Sequence, residues 1–211
     1  MARKSERRHK QGEESRLAIL DATLAIAAER GYDGTTVALV TERTGLPASS
    51  IYWHFGNKDK LLAATLEHSY REWRRTAPTW APRADSGDLL ERVEGRLQRG
   101  ARALAQKPEF WSLGLMLALQ QRVKEPAARV LYSQVRQETE DAVAGWWREV
   151  LEDDAVSADP ALPQRLAKFY MMMMDGLFLQ VRVTSARDVR RHVSLLARGL
   201  AGHLQATGLA S

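Results

Sequence analysis

The chain has 211 residues, no cysteine and a formal net charge of +5. The lack of cysteine excludes disulfides, thiolate catalysis and cysteine-ligated zinc or iron–sulfur clusters. The longest apolar run, residues 169–179, is interrupted by Asp175 and Gly176 and is shorter than a membrane span. Because no apolar stretch of signal-peptide length follows the basic first residues, we expect a cytoplasmic protein that does not contact a membrane.

The N-terminal part of the sequence predicts two helices that each end at a glycine. Over residues 13–30 apolar side chains recur every three or four positions, and Gly31 follows with the freedom to take the left-handed conformation that ends a helix. Thr35 or Thr36 then offers a hydroxyl N-cap for a short second helix. Gly45 ends that helix.

A third and a fourth helix follow in the sequence. Pro47 suits the first turn of a helix, so the third helix opens here and runs to about Phe55. Gly56 and Asn57 break it, and Asn57 can cap a fourth helix over residues 58–75. Three short helices with a glycine-containing turn between the second and the third are the geometry of a helix-turn-helix.

The rest of the sequence predicts a helical body. Residues 76–88 contain prolines and a glycine and form a linker, and residues 152–163 form an acidic loop with prolines. Apolar residues at helical spacing define further helices over residues 88–106, 108–124, 126–151, 162–184 and 186–207. We therefore predict an all-α protein of about nine helices, with a three-helix N-terminal head and a helical C-terminal body.

The third predicted helix has an outward face that suits a nucleic acid. Ile51 and Phe55 share one side of the helix and must point inward. The other side carries small, hydroxyl and aromatic residues: Ala48, Ser49, Ser50, Tyr52, Trp53 and His54. Small residues allow close approach to the major groove, hydroxyls bond phosphates or base edges, and aromatic rings pack on sugars and thymine methyls. Lys58 opens the next helix, where its ammonium and the helix N-terminus can bind one phosphate together.

Other interpretations of these residues stay open at this point. Tyr52 and Phe55 can both be core residues. His54 can be a metal ligand, although no second ligand has metal-binding spacing with it. Residues 1–12 hold five arginine and lysine side chains and are predicted to form a basic flexible arm. This arm is either a solvated, disordered tail or a segment that contacts phosphates or the minor groove.

Residues 45–62, together with residues 35–37 and Val40, resemble the DNA-binding signature of the TetR family of bacterial transcriptional regulators. The match extends back over residues 19–34. The resemblance implies that Thr36 and Lys58 contact phosphate and that the outward residues of the third helix lie in the groove. It also implies a homodimer, joined through its last two helices, on a double-stranded operator with an inverted repeat.

The body is rich in large, polarisable apolar side chains. Because TetR-like bodies usually house a ligand among their middle helices, the resemblance implies an apolar effector pocket. The candidate lining residues are Phe110, Trp111, Met116, Tyr132, Trp146, Phe169, Tyr170 and Met173. Gln120, Arg122 and Asp175 are candidate polar groups that orient a ligand. The alternative for any one of these residues is a place in the core or in the dimer interface.

The sequence contains no nucleophile elbow, metalloprotease motif or phosphate-binding glycine loop, so we expect no enzymatic activity, cofactor or metal. We predict a TetR-like repressor that an unidentified small, largely apolar effector releases from its operator. Residues 1–12 would be the arm, 13–57 the DNA-binding domain, and 58–211 the connecting helix with the effector-binding and dimerisation domain. Two other functions stay open: a helical enzyme for a hydrophobic substrate, and a protein adaptor that has lost DNA binding.

Overall fold

The computed structural model describes residues 2–76, 87–119 and 127–210, and within these ranges the side chains from residue 9 onward except that of residue 76. The described residues form ten helices and no strand, which confirms the all-α prediction. The helices are α1 (Ala2–Gly34), α2 (Val37–Thr44), α3 (Ala48–Phe55), α4 (Lys58–Thr76), α5 (Leu89–Gln106), α6 (Glu109–Leu119), α7 (Ala127–Val150), α8 (Asp153–Ala158), α9 (Leu162–Val183) and α10 (Ala186–Ala206). In the described part of the chain every helix is too short or too polar to cross a membrane.

The first helix is longer than predicted. It begins at Ala2, so residues 2–12 are helical where we expected a flexible arm. The segment is filled with arginine, lysine, glutamate and glutamine, which have high helix propensity, and no proline interrupts it. Helical periodicity did not reveal it, because the segment has no apolar stripe.

One helix that the sequence did not predict, α8, lies in the segment that we predicted as an acidic loop. Asp153 and Asp154 occupy its first turn, where their negative charges stabilise the helix N-terminus. The middle of the predicted linker, residues 77–86, lies outside the described residues, as do residues 120–126.

The starts of α2 and α4 and the end of α2 lie where the local signals placed them, whereas α1 continues three residues beyond the predicted stop at Gly31. Gly31 has a φ of 72° and interrupts α1, and Gly45 has a φ of 68° at the end of α2. The Thr36 hydroxyl accepts a hydrogen bond of 3.2 Å from the backbone amide three residues later. The Asn57 side chain does the same at the start of α4, at 2.9 Å. These caps fix where α2 and α4 begin.

The chain folds into two compact units. The first consists of Met1–Glu72 and Glu109–Gln134, and the second of Trp73–Pro108 and Val135–Ser211. This division differs from the predicted boundary at residue 57, because the start of α4 packs into the same core as α1, α2 and α3. That core contains the buried residues Ile19, Leu20, Ile26, Val40, Ile51, Phe55 and Leu61.

In the first unit α6 packs against α1. A Cβ at Gly31 of α1 would lie 3.8 Å from the sulfur of Met116 on α6. Gly114, also on α6, faces the ring of Tyr132 in the part of α7 that belongs to this unit. A Cβ at Gly114 would lie 1.9 Å from Cε2 of that ring, so only glycine allows this approach of the two helices.

We expect Gly114→Ala to destabilise the protein. Its Cβ would overlap a rigid aromatic ring, and the shift needed to relieve the overlap costs about 1–3 kcal/mol of the free energy of unfolding. The matched control is Gly145→Ala on α7, where a Cβ would meet nothing within 4 Å. There the better helix propensity of alanine raises stability by up to ~1 kcal/mol. Urea unfolding followed by circular dichroism measures both variants, and equal stability would contradict the close packing at Gly114.

In the second unit α5 lies against both α9 and α10. Gly100 brings α5 close to α9, since a Cβ there would lie 2.7 Å from Cε of Met174. Arg136 of α7 donates two hydrogen bonds of 2.9 Å to the carboxylate of Asp175 on α9. Asp175, which we predicted to orient a ligand, is therefore held in an ion pair within the unit.

Candidate DNA-binding surface

The turn between α2 and α3 is short and internally bonded. The backbone amide of Gly45 donates to the carbonyl of Thr41 at 2.9 Å. The amide of Leu46 donates to the hydroxyl of Thr44 at 3.2 Å. Pro47 follows and precedes the first residue of α3. The turn thus has a defined geometry without any bound partner.

One side of α3 lies in the core and the other in solvent. Ile51 and Phe55 are buried, whereas Tyr52 exposes 52% and Trp53 exposes 78% of its surface. Of the other residues predicted to contact DNA, Ser49 is exposed and Ala48, Ser50 and His54 are half-buried. Two neighbouring aromatic rings in water are unfavourable in isolation, and such a face is typical of a binding surface.

His54 is held against its neighbours on α3. Its ring meets the Trp53 ring edge-on, with 4.6 Å between the centroids. Burial lowers the pKa of His54, the positive charge of Arg16 lowers it further, and Glu13 opposes them. At neutral pH the imidazole is therefore uncharged, and it offers one donor and one acceptor rather than a cation. Among the described residues no group of three His, Asp or Glu side chains could hold a metal ion.

Arg16 is a residue of this surface that the sequence analysis missed. Its guanidinium lies 5.6 Å from the centroid of the Phe55 ring, so α1 places a positive charge beside α3. The signal was its spacing: Arg16 lies three and four positions before Ile19 and Leu20, on the same face of α1 as these core residues.

Lys58 is positioned at the N-terminus of α4 by residues of α1. Its ammonium lies 5.5 Å from the centroid of the Tyr32 ring and donates to the carbonyl of Asp33 at 3.4 Å. The Tyr32 hydroxyl donates to the carboxylate of Asp59 at 2.6 Å, which fixes the ring beneath the lysine. A lysine held at a helix N-terminus is well placed to bind phosphate.

Comparison with known proteins identifies this arrangement. Residues 19–65 match the sequence profile of the bacterial regulatory proteins of the tetR family. The HTH-type transcriptional regulator BetI of Burkholderia thailandensis is 29% identical over 171 residues, which are 78% of this chain and 80% of that protein. BetI of Burkholderia mallei is 32% identical over 124 residues, which are 56% of this chain and 64% of that protein. Residues 19–65 therefore carry a helix-turn-helix of the TetR type.

Solved structures of TetR-type regulators have the same fold. A TetR regulator of Chloroflexus aurantiacus has a TM-score of 0.69 and 19% identity, over 93% of this chain and 96% of that one. A transcriptional regulator of Rhodococcus sp. has a TM-score of 0.68 and 16% identity, over 93% and 99%. The chain therefore shares its fold with these regulators.

Part of the predicted effector site lies in the first unit of the chain. Phe110 and Trp111 of α6 are buried, as is Tyr132 of α7. The centroid of the Phe110 ring lies 5.8 Å from those of Trp111 and Tyr132 and 5.0 Å from that of Tyr70, which the sequence analysis did not name. Met116 is half-buried on the same helix. The rings of Tyr70, Phe110, Trp111 and Tyr132 form one cluster. We call it the aromatic cluster on α6, because Phe110 and Trp111 lie on that helix.

The other predicted effector residues lie in the second unit. The Trp146 ring lies under the guanidinium of Arg96, 4.6 Å from the centroid. Tyr170 is buried, and burial raises the pKa of its hydroxyl. Met173 lines a cavity of about 400 Å³ between α9 and α10, whereas Phe169 is 42% exposed and does not line that cavity. The candidates are thus divided between the two units, and Gln120 and Arg122 lie outside the described residues.

The outer face of α9 and α10 carries an apolar stripe. Its exposed members are Phe169, Met172, Leu179, Val183 and Leu195. With Gly176, those on α9 follow one another at steps of three and four residues, the spacing of a helix that packs against another helix. Gly176 and Leu195 line the same cavity, so this α9–α10 stripe is continuous across both helices. A solvated stripe of this kind is typical of a subunit interface.

Proposed function

We propose that this protein is a TetR-family repressor that binds an inverted-repeat operator and is released by a small, largely apolar ligand. The observation that carries DNA binding is the outward face of α3, where Tyr52 and Trp53 lie in solvent. Thr36 and Lys58, at the N-termini of α2 and α4, are suited to phosphate. Because the target is DNA, we place the protein in the cytoplasm. Because its relatives are named as transcriptional regulators, we expect no enzymatic activity.

A homodimer is the second part of the proposal. The α9–α10 stripe supports it, because a two-fold axis places the same apolar surface of a second copy opposite the first. Two copies of α3 then face DNA about one helical turn apart or somewhat more, which corresponds to about 34–36 Å for successive major grooves. The operator is therefore expected to be an inverted repeat.

The packing of α6 on α1 supports coupling between ligand and DNA. Phe110 and Trp111 of the aromatic cluster lie on α6, and Tyr132 packs against Phe110. The α6 helix contacts α1, and Ile19 and Leu20 of α1 share a core with Ile51 of α3. A ligand that prefers one position of α6 therefore changes the packing of α1 against α3. It shifts the population of DNA-binding conformations by its difference in affinity for the two positions.

Selection of bound duplexes from fragments of the source genome tests the proposal. We expect the selected fragments to share an inverted repeat that the protein protects as a dimer, and an effector chosen from neighbouring genes to weaken binding to it. Selection of no common sequence, or of a single undivided site, would contradict dimeric operator recognition. Titration calorimetry that gives one DNA affinity with and without saturating effector would contradict release by that effector.

A further inference from the structure

A groove of about 460 Å³ opens in the second unit, and all of its lining residues belong to that unit. It is lined by the C-terminal half of α5, the end of α9 and the first turns of α10. Ala101 and Val189 are buried and form its apolar floor together with Val181. The volume lies within the range of small-molecule sites, and the floor offers a ligand apolar contact and little else.

Two arginines line the same groove. Arg102 of α5 and Arg190 of α10 are both exposed, and in the described part of the chain no aspartate or glutamate pairs with either. Other arginines of this unit do have acidic partners, as Arg136 has Asp175. The acid in the first turn of α10, Asp188, is bonded to Ser185 and lies 3.5 Å from Arg191. The two guanidiniums of the groove are therefore available to an external anion.

We propose that this groove binds an amphipathic carboxylate. The apolar part of the ligand lies on the floor, and its carboxylate lies at the mouth of the groove, where both arginines bind it. Guanidinium groups match the planar, two-oxygen geometry of a carboxylate and form strong charge-assisted hydrogen bonds with it. An uncharged ligand of the same shape gains only the apolar contact. The site therefore selects for the anion.

Titration calorimetry of the full-length protein with octanoate tests this site, with octanol as the uncharged match. We expect octanoate to bind and octanol to bind more weakly. Arg102→Gln and Arg190→Gln should each weaken octanoate binding by roughly tenfold, since each removes one charge-assisted contact. The double variant and Ala105→Trp, which fills the groove from α5, should abolish it.

Arg187→Gln is the matched control, because Arg187 is exposed in the first turn of α10 and does not line the groove. We expect it to bind octanoate like the unaltered protein, and all variants to keep the same helical circular-dichroism spectrum. The proposal is overturned if octanoate does not bind the unaltered protein, or if octanol binds equally well. It is also overturned if the double variant and Ala105→Trp retain the affinity. None of these readouts involves DNA, so they are independent of the test for a repressor.

Discussion

Replacement of Tyr52 and Trp53 by alanine together is expected to reduce operator affinity by about 100-fold, because each good side-chain contact to a base contributes roughly 1–3 kcal/mol. Both side chains are largely exposed, so the substitutions leave the core of the first unit intact. Fluorescence anisotropy with the selected operator duplex measures the loss. Tyr52→Ala alone should reduce operator affinity several-fold or more.

The matched control for this prediction is Val130→Ala. Val130 is 43% exposed on α7, so the variant also truncates an apolar side chain in solvent. We expect it to bind the operator like the unaltered protein. If the double variant also keeps full affinity while remaining folded, the outward face of α3 does not contact DNA, and a protein adaptor becomes the better interpretation.

The fold around α2 and α3 was predictable because its signals are local. A glycine with positive φ at position 45, a threonine cap at 36 and proline at 47 each act within a few residues. The inward position of Ile51 and Phe55 follows from the period of the helix alone. Chain-local physics therefore sufficed for the part of the protein that carries the DNA-binding surface.

Other features depend on packing between distant segments, and periodicity did not predict them. Arg16 lies beside α3 only because α1 packs on that helix. The sequence predicts Asp175 as a polar group that orients a ligand, yet in the structure Asp175 pairs with Arg136 on another helix. The aromatic residues of the body were predicted to line a ligand pocket, or to lie in the core or the dimer interface. Most of them are buried, but periodicity does not tell which helix each one faces. The α8 helix is too short for any periodic pattern.

The α9–α10 stripe leads to the second large prediction. Leu179→Glu combined with Leu195→Glu should convert the proposed homodimer into a monomer, since 60% and 70% of these residues' surfaces face solvent in the single chain and the partner would cover them. Two-fold symmetry places four uncompensated carboxylates in one interface, and an unpaired buried charge costs about 3–5 kcal/mol. Size-exclusion chromatography with light scattering should then report the single-chain mass of 23.7 kDa.

Loss of the proposed dimer should also weaken binding to the operator. The first unit keeps its core, so a monomer retains α3 but contacts only one half of an inverted repeat. We expect operator affinity to fall by at least ~100-fold, because the two half-sites no longer share one binding event. Val130→Glu places the same charge at an exposed position of α7. It should leave both the mass of the assembly in solution and the operator affinity unchanged. A double variant that stays dimeric would show that the two copies associate through a surface other than the α9–α10 stripe.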